Sequence, residues 1–150
     1  MFVSQKCHYG LRALFELARR YGEGTVKNSE IAEAQSIPVR FLEVILSQLK
    51  RGGFVSSKRG SAGGYVLMSA PGELTVGSVV RFLQGPIGGP APADEEAAPT
   101  DDTPGSLAFR SLWDNVQNAV SSVLDTTTFK ELLEEDMRLR EKQFVPSYTI

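Results

Sequence analysis

The sequence of 150 residues contains one cysteine, Cys7, and one histidine, His8. A single thiol excludes a disulfide within the chain, and one thiol with one imidazole cannot supply the ligands of a zinc or iron–sulfur site. We therefore expect no resident metal and no cofactor, with Cys7 as a small buried apolar residue. A metal site built from Cys7 and His8 of two copies of the chain stays open as a minor alternative.

Long apolar runs are also missing. The apolar stretches are short and interrupted by charges, which excludes a membrane span, and the first residues lack the apolar segment of a secretion signal. We therefore expect a cytoplasmic protein. Because no nucleophile is paired with a base and no pair of catalytic carboxylates is evident, we expect no enzyme. A small enzyme or a metal-dependent sensor is the disfavoured alternative.

The net charge of −2 conceals an uneven distribution. Residues 1–84 contain 11 Lys and Arg against 6 Glu, which gives +5, whereas residues 85–150 contain 5 against 12 acidic residues, which gives −7. The basic part is therefore the candidate for binding an anionic partner.

Two helices are predicted at the start of this basic part. The first follows Ser4 as N-cap and has an inward face at helical spacing, formed by Cys7, Leu11, Leu14, Ala18 and Tyr21. The stretch NSEIAEAQ predicts a short second helix, capped by Asn28 or Ser29. The three residues SIP then break the pattern, as in the turn of a helix-turn-helix.

A third helix is predicted between Pro38 and the glycine pair at positions 52 and 53. Its apolar face is expected to consist of Phe41, Leu42, Ile45, Leu46 and Leu49. Its opposite face is polar and consists of Arg40, Glu43, Ser47 and Lys50. These side chains form either a plain solvent-facing surface or a DNA-reading surface. In the second case Arg40 would bind guanine N7 and O6, and Glu43 would accept from the cytosine N4 amine.

Two short stretches, FVSSKR and YVLMS, follow and predict a β-hairpin with a glycine-rich connection. Lys58, Arg59, Gly60 and Ser61 form its tip. In a winged helix-turn-helix domain such a wing reaches the minor groove or its phosphates, which suits Arg59 and Lys58 respectively. Glycines at 60, 63 and 64 would allow positive φ and a close approach to the duplex. The alternative is a solvated turn whose charges serve solubility.

The predicted fold class is mainly α with a small β-hairpin. Residues 1–84 are expected to form a winged helix-turn-helix DNA-binding domain. This domain ends in a fourth predicted helix, capped by Thr75. Residues 85–105 hold five of the eight prolines, four glycines, five acids and no base, which predicts a flexible acidic loop. Residues 106–142 are expected to form a long dimerisation helix and a terminal helix, and residues 143–150 a C-terminal tail. The long helix has an apolar face that needs a partner to cover it. The residues expected at a dimer interface are Leu112, Trp113, Val116, Val120 and Val123.

The segments YGLRALFELA, IAEAQSIPVRFLEVILSQLKRGGFVSSKRGSAGGYVL and TVGSVVRFLQGPI resemble the Rrf-type winged-helix transcription regulators. The stretch LDTTTFKELL extends this resemblance more loosely. The resemblance implies a homodimer that binds a pseudo-palindromic operator in double-stranded DNA and acts as a repressor. It also implies that Arg40 and Glu43 lie on the base-reading helix and that Arg59 is the wing arginine.

One departure from the family narrows this interpretation. Cluster-binding members carry three cysteines in the loop after the fourth helix, and residues 85–105 contain none. The sequence therefore resembles the cluster-free cysteine metabolism repressors, which implies control of cysteine or sulfur genes with cysteine synthase as corepressor. Because that enzyme captures tails ending in isoleucine, Tyr148, Thr149 and Ile150 are the expected partner-binding tail. A regulator that responds to a small-molecule or redox effector, or an adaptor protein, stays open.

Overall fold

A computed structural model describes residues 3–87 and 103–144 of the chain. Helices α1 (Gln5–Arg19), α2 (Asn28–Gln35) and α3 (Val39–Arg51) precede strands β1 (Val55–Lys58) and β2 (Gly64–Leu67). A 3₁₀ turn, Pro71–Glu73, leads to α4 (Val76–Gln84), and α5 (Ser106–Thr126) and α6 (Phe129–Gln143) complete the described part. The predicted fold class, mainly α with a small hairpin, is confirmed.

Two of the three predicted helix caps are confirmed. The hydroxyl of Ser4 accepts from the Cys7 N–H at 3.2 Å, and that of Thr75 accepts from the Ser78 N–H at 3.3 Å. Each bond satisfies a backbone donor that has no partner within the first turn of a helix.

The N-terminus of α2 differs from the prediction by one position. Asn28 is already helical and Lys27 is the N-cap, whose N–H donates to the Glu30 carboxylate at 2.8 Å. The prediction that Asn28 or Ser29 caps the helix is therefore wrong, because a carboxylate three residues further on supplies the reciprocal bond of a capping box.

Helix α1 ends earlier than its apolar pattern. Its last residue is Arg19, so Tyr21 lies beyond the helix and is exposed, and the inward position predicted for Tyr21 is wrong. Cys7, Leu14 and Ala18 are buried as predicted. Burial raises the pKa of the Cys7 thiol, which favours its neutral form.

Helices α2 and α3 are joined by the predicted turn of Ser36, Ile37 and Pro38. Ser36 adopts the left-handed conformation at φ 51° and ψ 47°, and the Ile37 N–H donates to Ala32 O at 2.9 Å. Since Ile37 is also buried, the turn fixes the angle at which α3 leaves α2.

The inward face of α3 is narrower than predicted. Leu42, Ile45, Leu46 and Leu49 are buried, but Phe41 is 60% exposed. At about 100° per residue Phe41 lies at the edge of this face and turns toward α1, where its ring centroid is 6.4 Å from that of Tyr9. The assignment of Phe41 to the buried stripe is therefore wrong.

The wing has a third chain segment at its base. β1 and β2 pair antiparallel, and Val26, in the connection between α1 and α2, forms an isolated bridge with Tyr65 of β2. Val26 and Tyr65 exchange both backbone hydrogen bonds, at 2.9 and 2.8 Å. The wing is therefore held to the helical body by this bridge as well as by its covalent connection to α3.

The junction between α5 and α6 is attached to the start of α4. The Val76 N–H donates to Thr127 O at 2.9 Å, and the Phe129 N–H donates to Leu74 O at 3.0 Å. Phe129 is completely buried in the core that contains the inward side chains of α1, α3 and α4. The winged helix and the C-terminal helices therefore share one core.

Helix α5 contacts α4 through its C-terminal half. Arg81 of α4 pairs with Asp125 of α5, with Nη2 at 2.8 Å from Oδ2, and Gln117 donates to Ile87 O at 2.9 Å. Ile87 is buried, so this member of the predicted acidic loop belongs to the core, whereas residues 88–102 lie outside the described part.

None of the helices in residues 3–87 and 103–144 has the length and apolar character of a membrane span.

Candidate nucleic-acid interface

The four polar residues predicted on the outer face of α3, Arg40, Glu43, Ser47 and Lys50, are all exposed. Two of them lean toward neighbouring elements. The amide of Asn28 in α2 donates to Glu43 Oε1 at 3.4 Å, and Lys50 Nζ donates to Ser57 Oγ of β1 at 2.6 Å. Arg40 and Ser47 point away from the core without such tethers among the described residues.

Sequence reasoning missed two residues of this face. Positions i, i+4, i+7 and i+11 lie in one row along a helix. The row diametrically opposite the buried leucines of α3 therefore consists of Arg40, Val44, Ser47 and Arg51, which we call the outward stripe. All four are exposed. Helical spacing is the signal that finds both, because Val44 and Arg51 lie four residues after Arg40 and Ser47 respectively.

The wing tip carries the predicted cations on an exposed turn. Lys58, Arg59, Gly60 and Ser61 are all exposed, and the Gly63 N–H closes the turn by donating to Gly60 O at 2.9 Å. Gly60 has φ +99°, a conformation in which a side chain would be strained.

The other two wing glycines have a reason within the protein. A Cβ on Gly63 would overlap the backbone carbonyl of Lys58, and a Cβ on Gly64 would overlap the carbonyl of Val26. Their smallness is needed to close the hairpin and to seat it on the connection between α1 and α2, whatever the wing binds.

A shallow cleft separates the wing from the start of α2. It is lined by Lys27, Asn28, Ser57, Lys58, Arg59 and Tyr65, together with the wing glycines. Three cations therefore border one concave surface next to the N-terminus of α2, where the positive end of the helix dipole also favours an anion. The cleft has the charge and position of a DNA phosphate site on a helix-turn-helix protein.

A buried carboxylate fixes α2 relative to α1. Glu16 is 1% exposed and accepts from Arg19 at 2.6 Å, from Arg20 at 3.0 Å and from Gln35 of α2 at 3.1 Å. Burial alone would raise the pKa of Glu16, but these hydrogen bonds lower it, so the carboxylate stays charged. The network holds the C-terminal end of α2, and thus the helix pair, against α1.

The sequence matches known transcription regulators along most of its length. A family model described as "Rrf2: Iron-dependent Transcriptional regulator" matches residues 3–135. The HTH-type transcriptional regulator CymR of Bacillus subtilis (strain 168) is 39% identical over 132 residues, which are 88% of this chain and 89% of that protein. The chain belongs to the Rrf2 family. It is a DNA-binding winged-helix transcription regulator, as the sequence predicted.

Two solved Rrf2-type structures share its fold. The structure of CymR (YrzC), the global cysteine regulator of B. subtilis, has a TM-score of 0.78 and 36% identity, covering 90% of this chain and 98% of that chain. IscR of T. potens has a TM-score of 0.75 and 32% identity, covering 99% and 95%. Both chains are matched almost along their whole length, so the likeness includes the C-terminal helices.

The described residues do not bring together side chains that would hold the iron named in the family description. In residues 3–87 and 103–144 no group of three or more His, Cys, Asp or Glu side chains is placed to hold a metal. The sequence has a single cysteine, Cys7, and it is buried among apolar residues of the core. A cluster held by several cysteines of one chain is therefore incompatible with this Rrf2 member.

Proposed function

We propose that this Rrf2-family protein is a homodimeric repressor that occupies a pseudo-palindromic operator. One observation carries the proposal: the wing cations Lys58 and Arg59 border one cleft with the N-terminus of α2, and α3 is joined to both neighbours through the Asn28–Glu43 and Lys50–Ser57 hydrogen bonds. In a helix-turn-helix protein the second helix enters the major groove, and in a dimer the two copies are about 34–36 Å apart or a multiple of that distance.

Each group on this surface has a distinct role in the proposed complex. Arg40 and Glu43 contact base edges, while Ser47 and Lys50 contact the groove further along the helix. Arg59 enters the flanking minor groove and Lys58 binds a phosphate, with Gly60 and Ser61 keeping the wing tip small.

The dimer is supported by an uncovered apolar row on α5. Five exposed residues follow each other at intervals of three, four, three and four: Phe109, Leu112, Val116, Ala119 and Val123. This is the spacing of a helix that packs along a second helix. We call the row the α5 seam and propose the α5 seam of a second copy as its occupant.

Two further residues of the expected interface lie beside the seam. Trp113 is 62% exposed, and Val120 is half-buried because it packs against the protomer's own core. In the proposed dimer the indole of Trp113 covers the flank of the seam. Full burial of a Val, Leu or Phe side chain of the seam would contribute about 1.5–3 kcal/mol.

The regulated genes are proposed to be those of cysteine or sulfur metabolism. Support comes from the B. subtilis CymR structure, which is described as that of a global cysteine regulator and is 36% identical. We further propose cysteine synthase as the protein corepressor, bound by the tail through Tyr148, Thr149 and Ile150. These three residues lie outside the described part of the chain.

The DNA surface is tested by Arg59→Glu. Reversing this charge should weaken operator binding at least tenfold, because an attractive contact becomes a repulsive one, and should lower the salt dependence of the affinity. Fluorescence anisotropy at several salt concentrations measures both effects, and light scattering measures the oligomeric state. The matched control is Lys142→Glu, an exposed cation on α6. Equal affinity of Arg59→Glu and the wild type would contradict the role of the wing.

The corepressor is tested by titrating the intact protein, and the protein lacking Ile150, against cysteine synthase of the same organism. The fluorescence of the synthase cofactor reports entry of the tail into the enzyme's cleft. Binding by the intact protein alone supports the proposed partner. Binding by neither form, or equal binding by both, would reject capture through the terminal isoleucine and leave the DNA-binding function unaffected.

A further inference from the structure

Val44 is an apolar residue at the centre of a polar surface. Its side chain is 58% exposed and lies in the outward stripe, one turn after Arg40 and one turn before Ser47. Single exposed apolar residues are ordinary on protein surfaces. This one, however, belongs to the row of α3 that faces away from the core, where a recognition helix meets the floor of the major groove.

The neighbouring apolar residues of α3 are turned elsewhere. Phe41 faces the Tyr9 ring of α1, and Val39 lies at the first turn, outside the outward stripe. Val44 is therefore the single apolar member of the stripe, between side chains that carry charge or a hydroxyl group.

A valine cannot read a base through hydrogen bonds, because its side chain has neither donor nor acceptor. In the major groove the one apolar group is the C5 methyl of thymine, whereas cytosine and adenine present amines and guanine presents acceptors. Covering one of those polar groups with an isopropyl group would remove its water without replacing the hydrogen bond. The β-branched side chain also has few rotamers, so it presents its methyl groups in a defined place.

We propose that Val44 is a specificity-determining residue that selects thymine by contact with its 5-methyl group, an inference that rests on the proposed DNA-binding role of α3. Four residues of helix advance about 6 Å, and base pairs are spaced about 3.4 Å apart. The selected thymine therefore lies within about two base pairs of the base that Arg40 contacts, once in each half-site.

The test removes the methyl group and nothing else from the DNA. An operator is first obtained by selection from random duplexes with the full-length protein, and each thymine is then replaced by deoxyuridine, symmetrically in both half-sites. For the wild type one position should weaken binding about fourfold per half-site, the equivalent of one methyl group at about 0.8 kcal/mol. Both half-sites together then give a loss of about tenfold or more.

Two variants assign this loss to Val44. Val44→Ala should lose most of the difference in affinity between the thymine and deoxyuridine operators, since its shorter side chain withdraws from the methyl group. Val39→Ala is the matched control, because Val39 is a comparably exposed valine of the same helix, and it should keep the full deoxyuridine penalty. Circular dichroism checks that both variants are folded.

The outcomes separate this inference from the function on which it rests. A wild type that tolerates deoxyuridine at every position, or a penalty that persists in Val44→Ala, would overturn the role of Val44 while operator binding stands. Failure of the full-length protein to select any sequence would overturn the proposed function, and the inference with it.

Discussion

Phe129, at the start of α6, is buried in the core shared with the winged helix, which makes Phe129→Ala an informative perturbation. Phe129 is completely buried, whereas the backbone bond from its N–H to Leu74 O survives the substitution. The variant therefore loses the ring and leaves a cavity in the core. Buried phenylalanines replaced by alanine typically cost about 3–5 kcal/mol of unfolding free energy. For a chain of this size that corresponds to a fall in Tm of roughly 6–20 °C.

The loss is measured by guanidinium unfolding followed by circular dichroism, at one fixed protein concentration because the stability of the proposed dimer would depend on it. Phe144→Ala is the matched control: Phe144 follows the other end of α6 and is 88% exposed, so its loss should change the unfolding free energy by about 0.5 kcal/mol or less. If Phe129→Ala cost less than about 1 kcal/mol, or no more than Phe144→Ala, the shared core of the winged helix and α6 would be refuted.

Two glycines and one ion pair give further predictions. A Cβ on Gly77 would overlap Asp125 Oδ1, so Gly77→Ala should expel this carboxylate from its pair with Arg81. The hydrogen bond from Arg81 lowers the pKa of Asp125, so the pair stabilises the fold above the ordinary aspartate pKa of about 3.9, and this contribution is lost as pH falls through the lower folded value. Urea unfolding between pH 3 and 7 should show this acid-dependent loss in the wild type and less of it in Gly77→Ala; identical profiles would contradict the pairing. Gly64 has φ +148° and lies against Val26, so Gly64→Ala should cost about 1–3 kcal/mol in thermal unfolding and weaken operator binding. An unchanged Tm would contradict the tight seating of the wing.

Features set by neighbouring residues were predictable from the sequence. The caps at Ser4 and Thr75, the glycine stop after α3 and the turn before Pro38 all depend on interactions within a few residues, and the structure has them at those places. Helical spacing likewise predicted the buried leucines of α3 correctly. The one wrong assignment on this face is Phe41. It lies at the edge of the apolar face, where its ring contacts Tyr9 of α1 and stays largely exposed.

Long-range pairings could not be predicted in the same way. Val26 and Tyr65 are joined by backbone groups, which every sequence possesses, so no side chain marks the bridge. Arg81 and Asp125 are 44 residues apart, and each looked like an ordinary surface charge. The outward position of Val44, in contrast, follows from local spacing alone, because Val44 lies one helical turn after Arg40.

The way α5 is attached has a mechanical consequence. The side chains of residues 107–116 are all exposed, whereas the hydrogen bonds that join α5 to α4 and to the residues just after it lie in its C-terminal half, at Gln117 and Asp125. Ten residues of helix are about 15 Å long, and a tilt of roughly 10° at the attachment would move the free end by about 2.6 Å. In the proposed dimer, two α5 helices paired along their seams would transmit any tilt to the separation of the two α3 helices, and with it to the half-site spacing that the dimer would accept.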